Sequence, residues 1–409
     1  MNGAQKLPSR AWLVVGLLWF TGCLNYLDRV TITTMRESLV SAIPMSDAQF
    51  GLLTSVFLWV YGLLSPFAGY FADRFGRAKV IVLSLLAWSL ITWLTAHART
   101  FDQLLATRAL MGISEACYLP AALALIADYH RGTTRSLATG IQMSGIMIGS
   151  GLGGVGGWIA ERSTWSHAFI LFGSVGIVFS AIVALLLRDR PVAGDTDSHP
   201  DRSPMGLGES VVELFRHGSF ILALLFWGLL GLASWGVVGW MPTYLTSHFH
   251  LSQGAGGLSA TGFLQGAALA GVLVGGIWAD RWKRTNPRAR ILVPFIGLCI
   301  AAPAILLTSV TDLLHVTLLG LVLYGFARSF TDSNMMPILC DLVDERTRAT
   351  GYGVLNLFSC LIGGLTIYAG GLLRDAHVSV GLVFKATALC LVVCAAILLW
   401  LKPRRAASD

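Results

Sequence analysis

An arginine and a glutamate lie seven positions apart inside one long apolar stretch of the chain. Arg108 and Glu115 belong to the run RALMGISEACYLP, between Leu104 and Ala127. Seven residues are about two turns of an α-helix, so both side chains lie on one face, roughly 10 Å apart along the axis. Each charge at the centre of a bilayer costs about 2.5–3.5 kcal/mol on insertion scales. The pair therefore predicts either a face that lines a substrate path or a buried structural ion pair with another helix.

Two further groups of ionisable residues lie within apolar stretches. The first is Asn25-Tyr26-Leu27-Asp28-Arg29. Neighbouring helical residues point about 100° apart, so we expect Asp28 and Arg29 to contact different partners. The second is Arg328 and Asp332, which are four residues apart and can pair on one helical face. Substrate binding and a neutralised structural pair are both open for this second group.

The composition excludes a soluble globular protein. The chain has 409 residues, of which 55% are hydrophobic and only 12% are charged, whereas soluble domains carry about 25% charged residues. The seven cysteines form no CxxC pair and no zinc spacing, and no Walker loop or dinucleotide fingerprint occurs. We therefore expect a polytopic membrane protein that is not an enzyme and holds no cofactor or metal.

Apolar stretches of the length that crosses a bilayer, about 20 residues, recur along the whole chain. The twelve predicted spans are 11–34, 49–71, 79–98, 103–127, 135–160, 166–187, 218–246, 254–279, 290–310, 313–339, 348–373 and 379–401. A polar segment rich in proline, glycine and aspartate separates the sixth span from the seventh. It predicts a linker between two six-helix halves.

The basic residues predict the orientation in the membrane. With both termini inside the cell, 21 of the 29 Lys and Arg residues fall in inside segments and 4 in outside segments. This asymmetry follows the positive-inside rule and accounts for the net charge of +7 without nucleic acid. We therefore expect a multi-pass protein of the inner membrane with cytoplasmic termini, surrounded by lipid.

The two halves repeat each other. The stretch Gly69-Tyr70-Phe71-Ala72-Asp73-Arg74 has a counterpart in Gly276-Ile277-Trp278-Ala279-Asp280-Arg281, and Ala138-Thr139-Gly140 has one in Ala349-Thr350-Gly351. Parallel repeats of this kind build transporters that rock around a central site. The predicted fold is thus all-α, with twelve transmembrane helices in two pseudo-symmetric six-helix bundles around a central cavity. Its predicted domains are residues 1–187, a cytoplasmic linker of residues 188–217, and residues 218–409.

One loop motif carries a resemblance to a known family. The pattern Gly69-x-x-x-Asp73-x-x-Gly76-Arg77 resembles the signature loop of the major facilitator superfamily. That resemblance implies that the aspartate and arginines of this loop latch the two halves together when the protein faces outward. The residues that would take this role are Asp73, Arg74 and Arg77.

Three other patterns narrow the resemblance. They are YLDR at Tyr26, RxxxGxxEAxxxP at Arg108, and Trp240-Met241-Pro242-Thr243-Tyr244-Leu245, and they resemble the anion:cation symporter branch. This branch implies proton-coupled import of a small organic anion, a sugar acid or other carboxylate, by alternating access. It implies that Asp28 and Glu115 carry protons.

The same resemblance implies a set of substrate-binding residues. The arginines Arg29 and Arg108 would bind the anion, with polar cavity residues at Tyr26, Tyr61 and Gln142. Apart from the resemblance, the second half adds the candidates Arg328, Asp332, Asn334 and Asn356. The symporter branch does not generally require the pair of Arg328 and Asp332, and Asn356 is also explained by hydrogen bonding between helices.

Two other functions are open. A spinster-like transporter shares the acidic pattern of the first and fourth helices and moves lysolipids or other amphiphiles. A membrane sensor that kept the fold but lost transport is the second alternative. We expect the protein to act as a monomer on an anionic substrate and protons.

Overall fold

The computed structural model describes residues 9–130, 134–189, 207–344 and 347–401. Within these ranges, the side chains of residues 9, 69–73, 207 and 349 are outside the description. The first half of the chain contains nine α-helices and one short 3₁₀ turn, Ile32–Thr34, among its described residues. The helices are α1 Ser9–Thr31, α2 Arg36–Ala42, α3 Asp47–Phe75, α4 Arg77–Thr95, α5 Phe101–Ala116, α6 Tyr118–Tyr129, α7 Arg135–Leu152, α8 Gly154–Arg162 and α9 Trp165–Leu186.

The described part of the second half is also helical. Its helices are α10 Leu207–Arg216, α11 Gly218–Phe249, α12 Gln253–Lys283, α13 Ala289–Val310, α14 Leu314–Leu342, α15 Arg348–Asp375 and α16 Gly381–Trp400. Helix α10 lies in the segment predicted as a linker, and residues 190–206 of that segment lie outside the described residues. The division of the chain at this linker stays a prediction.

Twelve stretches of the described residues are long and apolar enough to cross a membrane. The predicted all-helical fold with twelve spans is therefore confirmed. Large apolar side chains remain on the surface, such as Leu185 and Trp400, each 75% exposed. An exposed apolar belt of this kind is favourable against lipid rather than water.

The fourth predicted span is divided in the structure. Helix α5 ends at Ala116 and α6 begins at Tyr118, with a turn at Cys117. Pro120 has no N–H to donate to the carbonyl four residues earlier, so the regular hydrogen bonding is interrupted at this turn. The interruption follows Glu115 directly and places that carboxylate at the end of a helix.

Polar side chains begin the spanning helices. Ser46 precedes α3, and its hydroxyl accepts a hydrogen bond from the Gln49 amide at 3.2 Å. The Gln49 side chain accepts one from the Ser46 amide at 2.9 Å in return, which completes a capping box. Ser252 caps α12 through the amide of Ala255 at 3.3 Å.

Close helix packing in the first half depends on glycine. A Cβ atom at Gly149 of α7 would lie 2.0 Å from the carbonyl oxygen of Cys23 in α1. Only a residue without a side chain allows the two backbones to approach this closely. The glycines of this helix therefore allow α7 to pack closely against α1.

The two halves meet along two seams. In the first, the Ser55 hydroxyl of α3 donates to the Gly364 carbonyl of α15 at 2.7 Å. In the second, the Thr261 hydroxyl of α12 donates to the Gly151 carbonyl of α7 at 2.8 Å. Helices α3 and α12 both begin at the end of the bundle where α8 and α15 finish. We name this the outer end, because the basic residues predict that it faces away from the cytoplasm.

Candidate functional site

A buried ion pair joins α1 to α5 in the first half. Nη2 of Arg29 donates to Oε2 of Glu115 at 2.9 Å, and the two side chains are 3% and 0% exposed. The same nitrogen lies 3.4 Å from Oδ1 of Asn25, one turn earlier in α1. Two of the predicted site residues are therefore in direct contact, although 86 positions separate them in the chain.

Aromatic rings surround the Arg29 guanidinium. Its Cζ atom lies 4.3 Å from the ring centroid of Tyr26, 4.5 Å from that of Tyr61 and 4.9 Å from that of Phe57. The rings of Phe57 and Tyr61 stack one turn apart on α3. A cation over an aromatic face is stabilised by about 2 kcal/mol or more when it is desolvated. The rings can therefore hold Arg29 in position when its carboxylate partner changes.

Arg108 is in a different environment, although it belongs to the same helix as Glu115. The side chain is buried, and its Cζ atom lies 4.9 Å from the Phe57 ring centroid. One terminal nitrogen lies 3.0 Å from the sulfur of Met111, and the other lies 3.5 Å from the Arg29 carbonyl. In the described part of the chain no carboxylate pairs with Arg108 within 4.0 Å. Its predicted role as an anion ligand stays a prediction.

Asp28 points away from the Arg29 cluster. The Thr92 hydroxyl of α4 donates to its Oδ2 at 3.2 Å, and the Asp28 side chain is buried. Its Oδ1 atom has no hydrogen-bond partner among the described residues. Asp28 and Arg29 thus contact different partners, as the sequence predicts. The carboxyl lies between α1 and α4, and its proposed proton-carrying role stays untested.

Gln142 is fixed between helices of the first half. Its Nε2 donates to the Tyr118 hydroxyl at 2.8 Å, and that hydroxyl donates to the Leu18 carbonyl at 2.8 Å. Gln142 is fully buried. The contacts seen here connect α7, α6 and α1, and its predicted substrate contact stays a prediction.

The second half carries a more exposed charged pair. Nη2 of Arg328 donates to Oδ2 of Asp332 at 2.5 Å, and the two side chains are 17% and 25% exposed. The other terminal nitrogen of Arg328 donates to the Ser234 hydroxyl of α11 at 2.8 Å. The pairing four residues apart follows the prediction. Because the two charges neutralise each other, the pair is compatible both with substrate binding and with a purely structural role.

The two predicted asparagines have contacts of their own. Asn334 is buried and donates to the Phe330 carbonyl at 2.9 Å. Asn356 of α15 donates to the Ser65 hydroxyl of α3 at 2.9 Å, so it links the two halves of the molecule. Neither contact tests a substrate role.

The predicted latch lies at the opposite end of α3 from the outer end. Helix α3 ends at Phe75, and the next residue is Gly76, whose φ of +87° favours glycine. Arg77 forms an ion pair with Asp128 of α6 and donates to the Ala124 carbonyl at 3.1 Å. These partners belong to the same half as Arg77. Arg74 is exposed, and the side chain of Asp73 lies outside the described residues.

Sequence reasoning missed several residues that contact the buried charged side chains of the first half. Phe57, Thr92 and Met111 are ordinary residues of apolar spans, and no charge or motif distinguishes them. The one sequence feature that could have identified Phe57 is its four-residue spacing from Tyr61, because this spacing puts both rings on a single helical face.

The sequence family described as the Major Facilitator Superfamily matches residues 18–367. The chain therefore belongs to this superfamily of membrane transporters. Two crystal structures of a bacterial homolog to the human lysosomal transporter spinster, inward-facing unoccupied and inward-facing occupied, share its fold. The unoccupied structure has a TM-score of 0.77 at 22% sequence identity, and the match covers 98% of this chain and 96% of that one. The occupied structure has a TM-score of 0.78 at 23% identity, and the match covers 98% of this chain and 97% of that one.

The curated relatives of the chain include a spinster protein and an MFS-type efflux pump. Protein spinster homolog 1 of Homo sapiens is 30% identical over 330 residues, which cover 75% of this chain and 62% of that protein. An MFS-type efflux pump of Mycolicibacterium smegmatis is 27% identical over 375 residues, 90% of this chain and 86% of the pump. The chain thus spans less than two thirds of its human spinster relative. The superfamily prediction is confirmed, the anion:cation symporter branch is not, and the spinster-type alternative is better supported.

Proposed function

We propose that the chain is a spinster-type secondary transporter that couples proton movement to that of an amphiphile with an anionic head group, such as a lysolipid. The similarity to spinster proteins supports the type of transporter. The chemistry of the buried cluster supports the coupling and the charge of the head group.

The observation that carries this proposal is the position of Arg29 between Glu115 and three aromatic rings. While Glu115 is ionised, the pair is neutral and a second anion gains little by approaching it. A proton on Glu115 removes that negative partner, and the guanidinium becomes available to an anionic head group. By linkage, a bound proton then raises the affinity for the anion, and the anion raises the affinity for the proton by the same factor.

The rings also favour an amphiphile over a sugar acid. The flat faces of Tyr26, Phe57 and Tyr61 present apolar surface beside the cation. The several hydroxyls of a sugar acid would lose water there and find few partners, which is costly. A lysolipid brings one charged group and a hydrocarbon chain, and both match these surroundings.

One observation favours a small organic anion as the second candidate. Arg108 has no carboxylate partner within 4.0 Å among the described residues, so a compact anion that reaches it would gain a second guanidinium. Two parallel hydrogen bonds from an arginine suit a free carboxylate well.

Proton entry into liposomes separates these candidates. The purified protein is reconstituted with an entrapped pH dye, and lysophosphatidylglycerol or gluconate is added outside at acidic pH. We expect internal acidification with the lysolipid, above the rate in protein-free liposomes. Arg29→Met should abolish that signal, and Arg99→Met, at an exposed outer position, should retain it.

The outcomes separate the possible functions. Acidification with gluconate but not with the lysolipid would contradict the amphiphile proposal and support the second candidate. No uptake of either compound in labelled form, from a protein that binds one of them, would indicate the membrane sensor.

A further inference from the structure

Two short stretches with the same spacing finish α8 and α15 at the outer end. They are Gly157-Trp158-Ile159-Ala160-Glu161 and Gly371-Leu372-Leu373-Arg374-Asp375. Each has a glycine followed, one helical turn later, by an acidic residue. They occupy corresponding positions of the two halves, 214 residues apart.

The glycine of each stretch lies where its helix crosses the start of a helix from the other half. A Cβ atom at Gly371 would lie 2.3 Å from the carbonyl oxygen of Asp47, at the start of α3. A Cβ atom at Gly157 would lie 3.3 Å from the carbonyl oxygen of Gln253, at the start of α12. The crossing with α3 therefore leaves no room for a side chain at Gly371. At Gly157 the Thr34 carbonyl oxygen of the same half, 2.5 Å from the Cβ position, excludes a side chain more strongly than the crossing with α12 does.

The acidic residue of each stretch reaches the free amides of the helix it crosses. Oδ1 and Oδ2 of Asp375 accept from the amides of Asp47 and Ala48 at 2.8 and 2.9 Å. Oε2 of Glu161 accepts from the amide of Gly254 at 2.6 Å. Amides in the first turn of a helix have no partner within that helix, and the positive end of the helix dipole favours a carboxylate there.

The arrangement is reciprocal. Asp375 of the second half caps α3 of the first, and Glu161 of the first half caps α12 of the second. Ser46 and Ser252 already satisfy the third amide of each helix, so the first and second amides of α3 and the second amide of α12 depend on the partner half. A helix cap that lies within one half would survive any movement of the halves, whereas these two caps are lost when the outer end opens.

We propose that Glu161 and Asp375 form a two-point gate that holds the outer end closed. Each carboxylate exchanges its contact for water when the halves separate, so the gate can open and re-form without a chemical step. Neighbouring contacts strengthen it. Arg374 of the second half pairs with the Asp47 carboxylate of the first, and the Gln253 side chain accepts from the Ser38 amide at 2.9 Å.

Hydrogen exchange of the full-length protein tests this gate. Deuterium uptake is followed by mass spectrometry in peptides that cover the start of α3 and the start of α12. Asp375→Ala should make the capped amides of α3 exchange about tenfold faster, the effect of losing a hydrogen bond to a charged group. Because one opening breaks both contacts, the same substitution should also raise exchange at α12, which Asp375 does not touch. Glu161→Ala should produce the mirror result.

Asp312→Ala is the matched control for Asp375→Ala, and Asp375→Asn is a milder variant. Asp312→Ala removes an outer aspartate whose side chain is 92% exposed and whose contact is with His248, and it should change neither peptide. Asp375→Asn keeps one acceptor oxygen and should have a smaller effect at both helices. If each substitution raises exchange only at the helix it caps, or at neither, the proposed gate is wrong. It is equally wrong if Asp312→Ala reproduces the effect.

Discussion

At the scale of single residues, Arg29 is the side chain that contacts most of the candidate site. Its partners are a carboxylate, three rings and an amide oxygen. A planar guanidinium can stack on rings and donate in its plane at the same time, whereas an ammonium group is a point charge that is more strongly hydrated. The identity of the cation matters here as well as its charge.

We therefore predict that Arg29→Lys weakens substrate binding although it keeps the charge. The dissociation constant should rise about tenfold or more, because the lysine cannot reproduce the stacked geometry. Titration of labelled substrate measures it, with Arg99→Lys as the matched control. Equal affinity in Arg29→Lys would show that charge alone is sufficient.

The Phe57 ring allows a second residue-scale prediction. Its face lies 4.9 Å from the Cζ atoms of both Arg29 and Arg108, so Phe57→Leu should lower the free energy of unfolding by roughly 1–3 kcal/mol through lost packing and cation–π contacts. Thermal denaturation measures this change. Phe263→Leu, at a position 47% exposed, should have a much smaller effect. Similar shifts for both variants would contradict the importance given to the ring.

The sequence identified the charged residues of the first half but not which residue pairs with Glu115. Charges inside apolar spans are conspicuous, so Asp28, Arg29, Arg108 and Glu115 could be selected directly. Helical spacing associated Arg108 with Glu115, whereas Arg29 from another helix forms the ion pair. Which helices pack together depends on contacts distant in sequence, and no local pattern contains that information.

At the scale of helices, the apolar stretches predicted all twelve spans because each must satisfy its backbone within the bilayer. The break at Cys117 and the helix α10 were not predicted. Pro120 is one possible signal for the first, but proline inside a membrane span is often tolerated without a break. Helix α10 is short and lies in a segment whose prolines and aspartates indicated a linker.

The packing of α7 on α1 gives a prediction at this scale. Gly149→Ala would drive a methyl group into the Cys23 carbonyl and should lower the free energy of unfolding by roughly 1–3 kcal/mol. Gly140→Ala in the same helix meets nothing within 4 Å and should be neutral or stabilising by up to about 1 kcal/mol. The fraction of monodisperse protein after heating measures both. A stable Gly149→Ala protein would mean that the two helices are further apart than described.

At the scale of the whole molecule, the two halves are joined at the outer end, and a transporter of this fold must exchange that state for one open on the outside. The family resemblance assigns Asp73 to a latch that stabilises the outward-facing state. We predict that Asp73→Asn shifts the population towards the closed outer end, with little change in intrinsic affinity.

Accessibility of single introduced cysteines at each end of the bundle measures this shift. Asp280→Asn, at the corresponding position of the second half, is the matched comparison and should have a smaller effect. An unchanged accessibility pattern in Asp73→Asn would contradict the latch.

The central claim is that a proton on Glu115 controls the availability of Arg29, and Glu115→Gln tests it most directly. The amide imitates the protonated carboxyl permanently, so the variant should still exchange labelled lysolipid across liposomes in counterflow, where no net proton movement is needed. It should fail to accumulate the substrate when the outside is acidified, while Glu37→Gln, at an exposed outer position, should accumulate it like the unmodified protein. If Glu115→Gln still concentrates the substrate on a proton gradient, the account is wrong and the coupling belongs to another carboxyl, with Asp28 the next to test.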